Sequence, residues 1–191
     1  MPDFLYINNG DGTFTNRNHE YFQHISNHTM GIEIADLTND GLFEVMSLDM
    51  LGENWERRHQ QMTTMQLERY KQLQRQGYGD QQMRNVMQLN LGHSSGQQVP
   101  AFAEGGCLAG IFATEWGWAP LAADFDNDGW KDLYITNGVR RDLNDIDFFA
   151  YTADSINRTG GISQARFKNW EDFSNLMPSK KVRNRMFRNK G

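Results

Sequence analysis

The sequence predicts an all-β fold assembled from short repeated units, and three observations carry that expectation. Two acidic stretches, "DLTNDGLFEVMSLD" from Asp36 and "DFDNDGWKDLYITN" from Asp124, share one pattern. Each starts 22 residues after a phenylalanine that closes a turn-rich segment, Phe14 in "YINNGDGTF" and Phe102 in "MQLNLGHSSGQQVPAF". A fixed spacing between two unlike motifs marks a structural repeat. Behind each acidic stretch, "LFEVMSL" and "WKDLYIT" alternate apolar with polar residues, the period of a strand with one buried face.

Each element follows from local chemistry. In "INNGDGTF" the Asn, Gly and Asp residues sit between apolar strand positions and tolerate the positive φ of a tight hairpin turn. The unit reads hairpin, spacer, acidic loop, strand. One copy spans 3–50 and a second 85–138, and "RMFRNKG" within 184–191 resembles the start of a further one. Between them lie two insertions, 51–84 and 139–183. The first holds "ENWERRHQQMTTMQLERYKQLQRQ" at 53–76, without Gly or Pro, which predicts one amphipathic helix with Trp55, Met62, Met65 and Leu73 on one face and Gly77 as its stop. The second opens with "VRRDLNDIDFFAY", passes through "NRTGG", and places Phe167, Trp170 and Phe173 at helical spacing, which predicts a loop and a short helix.

Composition narrows the function classes. With 23% charged and 38% hydrophobic residues the chain is neither disordered-like nor membrane-like. A formal charge of −5 argues against a nucleic-acid partner. No apolar run approaches the roughly 18 residues of a membrane span, so no membrane insertion is expected. The start lacks the basic and apolar regions of a secretory signal, so an export signal is expected to lie outside this chain. The single cysteine, Cys107, excludes an internal disulfide and reads as a small buried residue.

The acidic stretch at 124–132 has the makings of a calcium loop. Calcium takes six to eight oxygens at about 2.3–2.6 Å, and Gly at position 6 lets the chain turn around it. Asp124, Asp126, Asp128 and Asp132 occupy positions 1, 3, 5 and 9, and the Trp130 carbonyl is the natural ligand at position 7. An EF-hand would require a bidentate Glu at position 12, where Ile135 stands inside a strand. The first copy offers Asp36, Asp40 and Glu44, with neutral Thr38 at position 3 and the Leu42 carbonyl at position 7. With three carboxylates instead of four it is expected to bind Ca2+ less tightly.

These residues, with "TEWGWAPLAA" and the repeated hairpin starts, resemble the FG-GAP or VCBS repeats of integrin α-subunit propellers, and more closely the bacterial proteins similar to cartilage acidic protein. The resemblance implies a partial β-propeller with helical insertions, cut from a seven-bladed ring whose remaining blades are missing from this chain. It implies structural calcium in a loop between strands of a blade, and a place outside the cytoplasm: extracellular, periplasmic or at the cell surface. It implies no shared catalytic residue. The expected function is non-enzymatic adhesion or binding of a protein or glycan ligand; the alternative is a scaffold portion of a secreted polysaccharide-acting or other hydrolytic enzyme.

Four stretches imitate other chemistry. "GHSSG" at 92–96 fits the nucleophile elbow G-x-S-x-G, yet it falls where "GDG" forms the first hairpin turn, and the following Pro100 and glycines oppose a long helix. "HEYFQH" misses the zinc helix motif, since His19 and His24 are five residues apart, so His19, His24 and His28 read as loop histidines. The basic end "KKVRNRMFRNK" reads as a solvated strand with Met186 and Phe187 in its core pattern, and Trp116 and Trp118 as packing residues on one face. Asp142, Asp145 and Asp147 read as a solvated acidic loop.

Overall fold

A computed structural model describes residues 3–61, 67–93, 95–96, 99–158 and 170–191. Its core is built from two antiparallel sheets, and its longer helices occupy the insertions. The first hairpin, β1 (Tyr6–Asn8) and β2 (Phe14–Asn16), stands as its own two-stranded sheet. A four-residue helix, α1 (Asn18–Tyr21), follows; β3 (Ile25–Ser26) then pairs in parallel with β6 (Gln81–Gln82). The four-stranded sheet has the order β4 (Gly31–Ala35), β5 (Glu44–Leu48), β7 (Val86–Asn90), β8 (Phe102–Glu104). The three-stranded sheet has the order β11 (Arg185–Phe187), β10 (Asp132–Asn137), β9 (Gly117–Ala123).

These sheets run across the units drawn from the sequence. The hairpin that opens the second unit, β7–β8, hydrogen-bonds to β5 of the first, and the terminal strand β11 hydrogen-bonds to β10. Each sheet therefore reads strand, acidic loop, strand, and then, after an insertion, a hairpin strand.

Register shows how the sheets meet. Residues directly opposite share a face. Met46 pairs with Glu33 and Met87, and Leu133 pairs with Ala122 and Phe187. Met46, Leu48, Ile111, Leu133 and Ile135 form one buried cluster, with Met87 and Phe187 packed against it. Aligning the acidic loops shifts numbering by 124 − 36 = 88, which places Tyr134, not Leu133, opposite Met46 in the repeat. The two equivalent sheets thus pack through opposite faces. At their inner edge β4 runs close to β9: a Cβ at Gly31 would collide with the Trp118 carbonyl.

The two faces left over are apolar. On the second sheet Leu121, Tyr134 and Met186 lie opposite one another, with Leu121 and Met186 each 49% exposed. On the first sheet Ile32 and Ile34 are exposed, and a groove of about 140 Å³ there is lined by Phe4, Leu5, Phe22 and Val45.

The insertions depart from expectation. Helix α2 (Trp55–Gln61) buries Arg57 and Gln61, while Trp55, expected on the apolar face, points to water. Helix α3 (Leu67–Arg75) buries no residue. Met62, Met65 and Phe167 lie outside the described residues. The second insertion holds a 13-residue helix, α4 (Ile146–Arg158), where a loop was expected, before α5 (Trp170–Leu176). Asp145 caps α4, accepting the Phe148 N–H at 2.7 Å.

A buried guanidinium ties the insertions together. Arg57 Nε donates to Glu115 at 3.1 Å and its Nη2 to Asp142 at 2.9 Å; Gln61 also donates to Asp142, at 3.1 Å. Burial pulls the Arg57 pKa down, and the two carboxylates more than offset it. Asp142 and Asp145 are buried, so this acidic cluster is not the solvated loop expected. A second buried polar node joins β5 to β7: Asp49 accepts Ser26 Oγ at 2.5 Å and the N–H groups of Asn27 and His28, while Asn85 bridges Asp49 N, Ile111 O and Thr114 Oγ1.

Ile135 is fully buried between the sheets. Ile135→Ala is expected to lower unfolding free energy by about 2–5 kcal/mol in urea denaturation. Arg57→Ala, which strands two buried carboxylates, is expected to cost about 3–5 kcal/mol in the same measurement.

Candidate metal centre

The β4–β5 and β9–β10 connections share three side-chain-to-backbone bonds and differ in a fourth, since the Asp128 N–H donates to Asp124 Oδ1 at 3.1 Å while Asp36 Oδ1 receives no such bond. The position-1 carboxylate accepts the position-6 glycine N–H: Gly41 to Asp36 at 3.1 Å, Gly129 to Asp124 at 2.9 Å. The position-5 carboxylate accepts the position-7 N–H: Leu42 to Asp40 at 2.8 Å, Trp130 to Asp128 at 3.0 Å. The position-9 carboxylate accepts the position-2 N–H: Leu37 to Glu44 at 2.7 Å, Phe125 to Asp132 at 3.3 Å. Both glycines need the left-handed region, at φ +85° and +91°, and the asparagine at position 4 also enters it, at 56° in Asn39 and 59° in Asn127.

In the second loop three carboxylates converge. One oxygen each of Asp124, Asp126 and Asp128 lies within 4.8 Å of the others, and all three residues are exposed. Asp132 stands apart: it is buried and its oxygens accept N–H groups of Phe125 and of Asn189, the latter at 2.9 Å. Arg188 spans the cluster, with Nε 2.7 Å from Asp126 and Nη2 3.1 Å from Asp128. The Trp130 N–H first, and then the Arg188 guanidinium, hold the Asp128 carboxyl below the usual carboxylate range.

The first loop is arranged differently. Among the described residues its carboxylates form no such converging group. Instead, Asp36 Oδ1 and Glu44 Oε1 are buried with no hydrogen-bond partner, and Glu44 is only 1% exposed. A buried unpaired acceptor costs about 1–3 kcal/mol, a cost that a bound cation would remove. Thr38 is exposed beside a cavity of about 210 Å³ lined by Leu37, Met87, Leu133 and Phe187. Both loops fit a hard cation: the second by convergent oxygens already met by a positive group, the first by two oxygens that lack a donor.

The loops touch each other. Asn39 Nδ2 donates to Gly129 O at 2.9 Å, Lys131 Nζ to Asp36 O at 3.0 Å, and Asn189 Nδ2 to Leu37 O at 2.7 Å. Sequence reasoning missed the three donors, Asn39, Lys131 and Asn189, and also Arg188. One signal was present: Asn-x-Gly recurs at the hairpin starts, and each Asn side chain accepts its glycine N–H, Asn8 at 2.8 Å, Asn90 at 3.0 Å and Asn189 at 3.2 Å.

The remaining motifs resolve as follows. "GHSSG" lies in the connection between β7 and β8, with Leu91 N to Ala101 O and Ala101 N to Gly92 O both at 2.8 Å; Ser94 itself lies outside the described residues. Cys107 is exposed, not buried, and Arg84 donates to its Sγ at 2.8 Å and to Glu104 at 2.9 Å, beside His24. Burial, then Arg84, lowers the His24 pKa. Trp116 and Trp118 stack at 6.3 Å, as expected for one face. In the basic end Arg185 pairs with Glu53, Phe187 joins the core and Met186 stays half-exposed. No described helix is long and apolar enough to cross a membrane.

Two sheets, each with an acidic turn between its first two strands in chain order, define a protein of repeat type. Residues 2–47 match the FG-GAP-like repeat family, so the chain carries an FG-GAP-like repeat across its first acidic loop. No curated protein and no solved structure matches the chain.

A Cβ at Gly129 would meet open space, so only its φ opposes substitution. Gly129→Ala is expected to lower stability by about 1–2 kcal/mol in chemical denaturation, whereas Asn127→Gly leaves it nearly unchanged.

Proposed function

We propose that this chain is part of a calcium-stabilised β-propeller that binds a protein or glycan ligand outside the cytoplasm, extracellularly, in the periplasm or at the cell surface, and catalyses no reaction. The observation that carries the calcium reading is the pair of buried, donorless oxygens, Asp36 Oδ1 and Glu44 Oε1, at positions 1 and 9 of a loop built like its neighbour. The proposed ligands are Asp124, Asp126, Asp128, the Trp130 carbonyl and Asp132 in one loop, and Asp36, Thr38, Asp40, the Leu42 carbonyl and Glu44 in the other. Bound calcium would offset repulsion among the carboxylates and pin the turn. Each Asp132 oxygen accepts one N–H and keeps a lone pair with which it could join.

The propeller reading rests on the sheets. Two equivalent sheets meet through opposite faces, a heterologous contact that leaves Leu121 and Met186 exposed on the second sheet and Ile32 and Ile34 on the first, which suits further blades. A ring built this way binds through loops on its rim, which suits a recognition module. The hydrolase alternative would need the "GHSSG" serine on a strand-to-helix turn, and that segment joins two strands.

With calcium about a hundredfold above Kd, the full chain is expected to gain about 2.7 kcal/mol, a Tm rise of roughly 5–10 °C. Scanning calorimetry in calcium and in chelator reads this, and an identical Tm in both would sink the calcium reading. Asp126→Ala with Asp128→Ala should reduce the rise, and Glu44→Gln should reduce it further. Ser94→Ala is expected to change no hydrolytic activity, whereas a loss would revive the enzyme alternative. Binding on a glycan array would identify a sugar ligand.

A further inference from the structure

The two loops share their turn geometry, yet among the described residues only the second is crossed by a guanidinium. Arg188 reaches it from just beyond β11, and its side chain is 59% exposed, so it approaches from the solvent side. Register identifies its counterpart. Leu133 pairs with Phe187 as Val45 pairs with Gln88, so Arg188 corresponds to Leu89. A leucine offers no charge to the first loop's carboxylates; the two donorless oxygens there sit at positions 1 and 9, which in the second loop are met by the Asp128 and Asn189 N–H groups and not by Arg188. Lys131, which does reach the first loop, donates to the Asp36 backbone carbonyl and not to a carboxylate.

We infer that Arg188 is a built-in counter-cation of the second acidic loop, which a divalent ion must displace in order to bind there. The inference rests on the calcium reading of that loop. Calcium oxygens on opposite sides of the ion stand about 4.6–5.2 Å apart, twice the bond length, and the oxygens of Asp124, Asp126 and Asp128 lie within 4.8 Å. The guanidinium makes its bonds through Nε and Nη2 to two different carboxylates of this cluster, Asp126 Oδ2 and Asp128 Oδ2. An ion at the centre of the three carboxylates would sit beside a fixed positive charge and compete for the same two groups. The second loop, which has more carboxylates, is thereby weakened as a metal site and stabilised without metal. The charge count alone ranks the loops the other way.

The test titrates the chelator-stripped full chain with CaCl2 by calorimetry at low ionic strength, as wild type, Arg188→Ala and Arg188→Lys, each both with Glu44 intact and with Glu44→Gln to silence the first loop. Arg188→Ala is expected to tighten calcium binding about tenfold or more, since an ion of charge two loses a neighbouring repulsion. Arg188→Lys keeps the charge but not the fork, and should fall between. Melting adds a readout that a purely structural contact would not produce. In chelator the Tm of Arg188→Ala should fall, while its calcium-induced rise grows; an arginine that only holds β11 in place would lower both. Equal or weaker calcium binding by the folded Arg188 variants overturns the inference and leaves the calcium reading standing. Absence of calcium binding by every protein, including those with Glu44 intact, overturns both. Should Arg188→Ala fail to fold, Arg188→Lys against wild type gives the same decision.

Discussion

Met46 and Leu48 of one sheet are covered only because Leu133, Ile135 and Phe187 of the next sheet face them, and this contact is the one on which the rest of the structure depends. A small sheet with apolar residues on both faces cannot exclude water from either by itself. Here each sheet presents a different face to the shared core; on the first sheet the N-terminal segment covers part of the other face, and Ile32 and Ile34 stay exposed. The close approach of β4 to β9 at Gly31 sets the spacing at the inner edge. From that edge the acidic loops emerge side by side, near enough for Asn39 and Lys131 to cross between them.

The carboxylates of those loops do two jobs at once. Each loop spends three of them on its own backbone N–H groups, which is what closes the turn. What remains of their lone pairs and charge must then be met by something else. In one loop Arg188 and Asn189 meet part of it; in the other, two buried oxygens are left over. Divergence between two copies of one motif therefore shows up less in the turn, which shares three of its side-chain-to-backbone bonds, than in how its residual charge is answered.

The repeat, the strands after each acidic loop and the hairpin turns were legible in the sequence, because they depend on residues adjacent in the chain. Position 6 glycines and alternating apolar residues report local backbone and a local face. The pairing of β7 with β5 was not legible, since it joins segments on either side of an insertion of some 34 residues, 51–84, whose path no periodicity records. Helix faces failed for a related reason. The buried side of α2 carries Arg57 and Gln61, polar residues whose partners come from distant segments, so a rule that equates buried with apolar pointed Trp55 inward. The same rule hid Asp142 and Asp145, and with Asp145 the cap that starts α4. Within the candidate site, ligand-type residues were visible from spacing, while Arg188 and Asn189, some 60 residues away, could be found only through the sheet.

Arg57 gives the two insertions a common fate. Its charge is shared between Glu115, just ahead of β9, and Asp142, at the entrance of the second insertion, while it sits in the first. A chimaera that exchanged the first insertion alone would leave Glu115 and Asp142 without Arg57, and one that exchanged the second alone would leave Arg57 with Glu115 only. Recombination between relatives would therefore keep segments 51–84 and 139–183 together, although more than fifty residues and a complete acidic loop separate them in the chain.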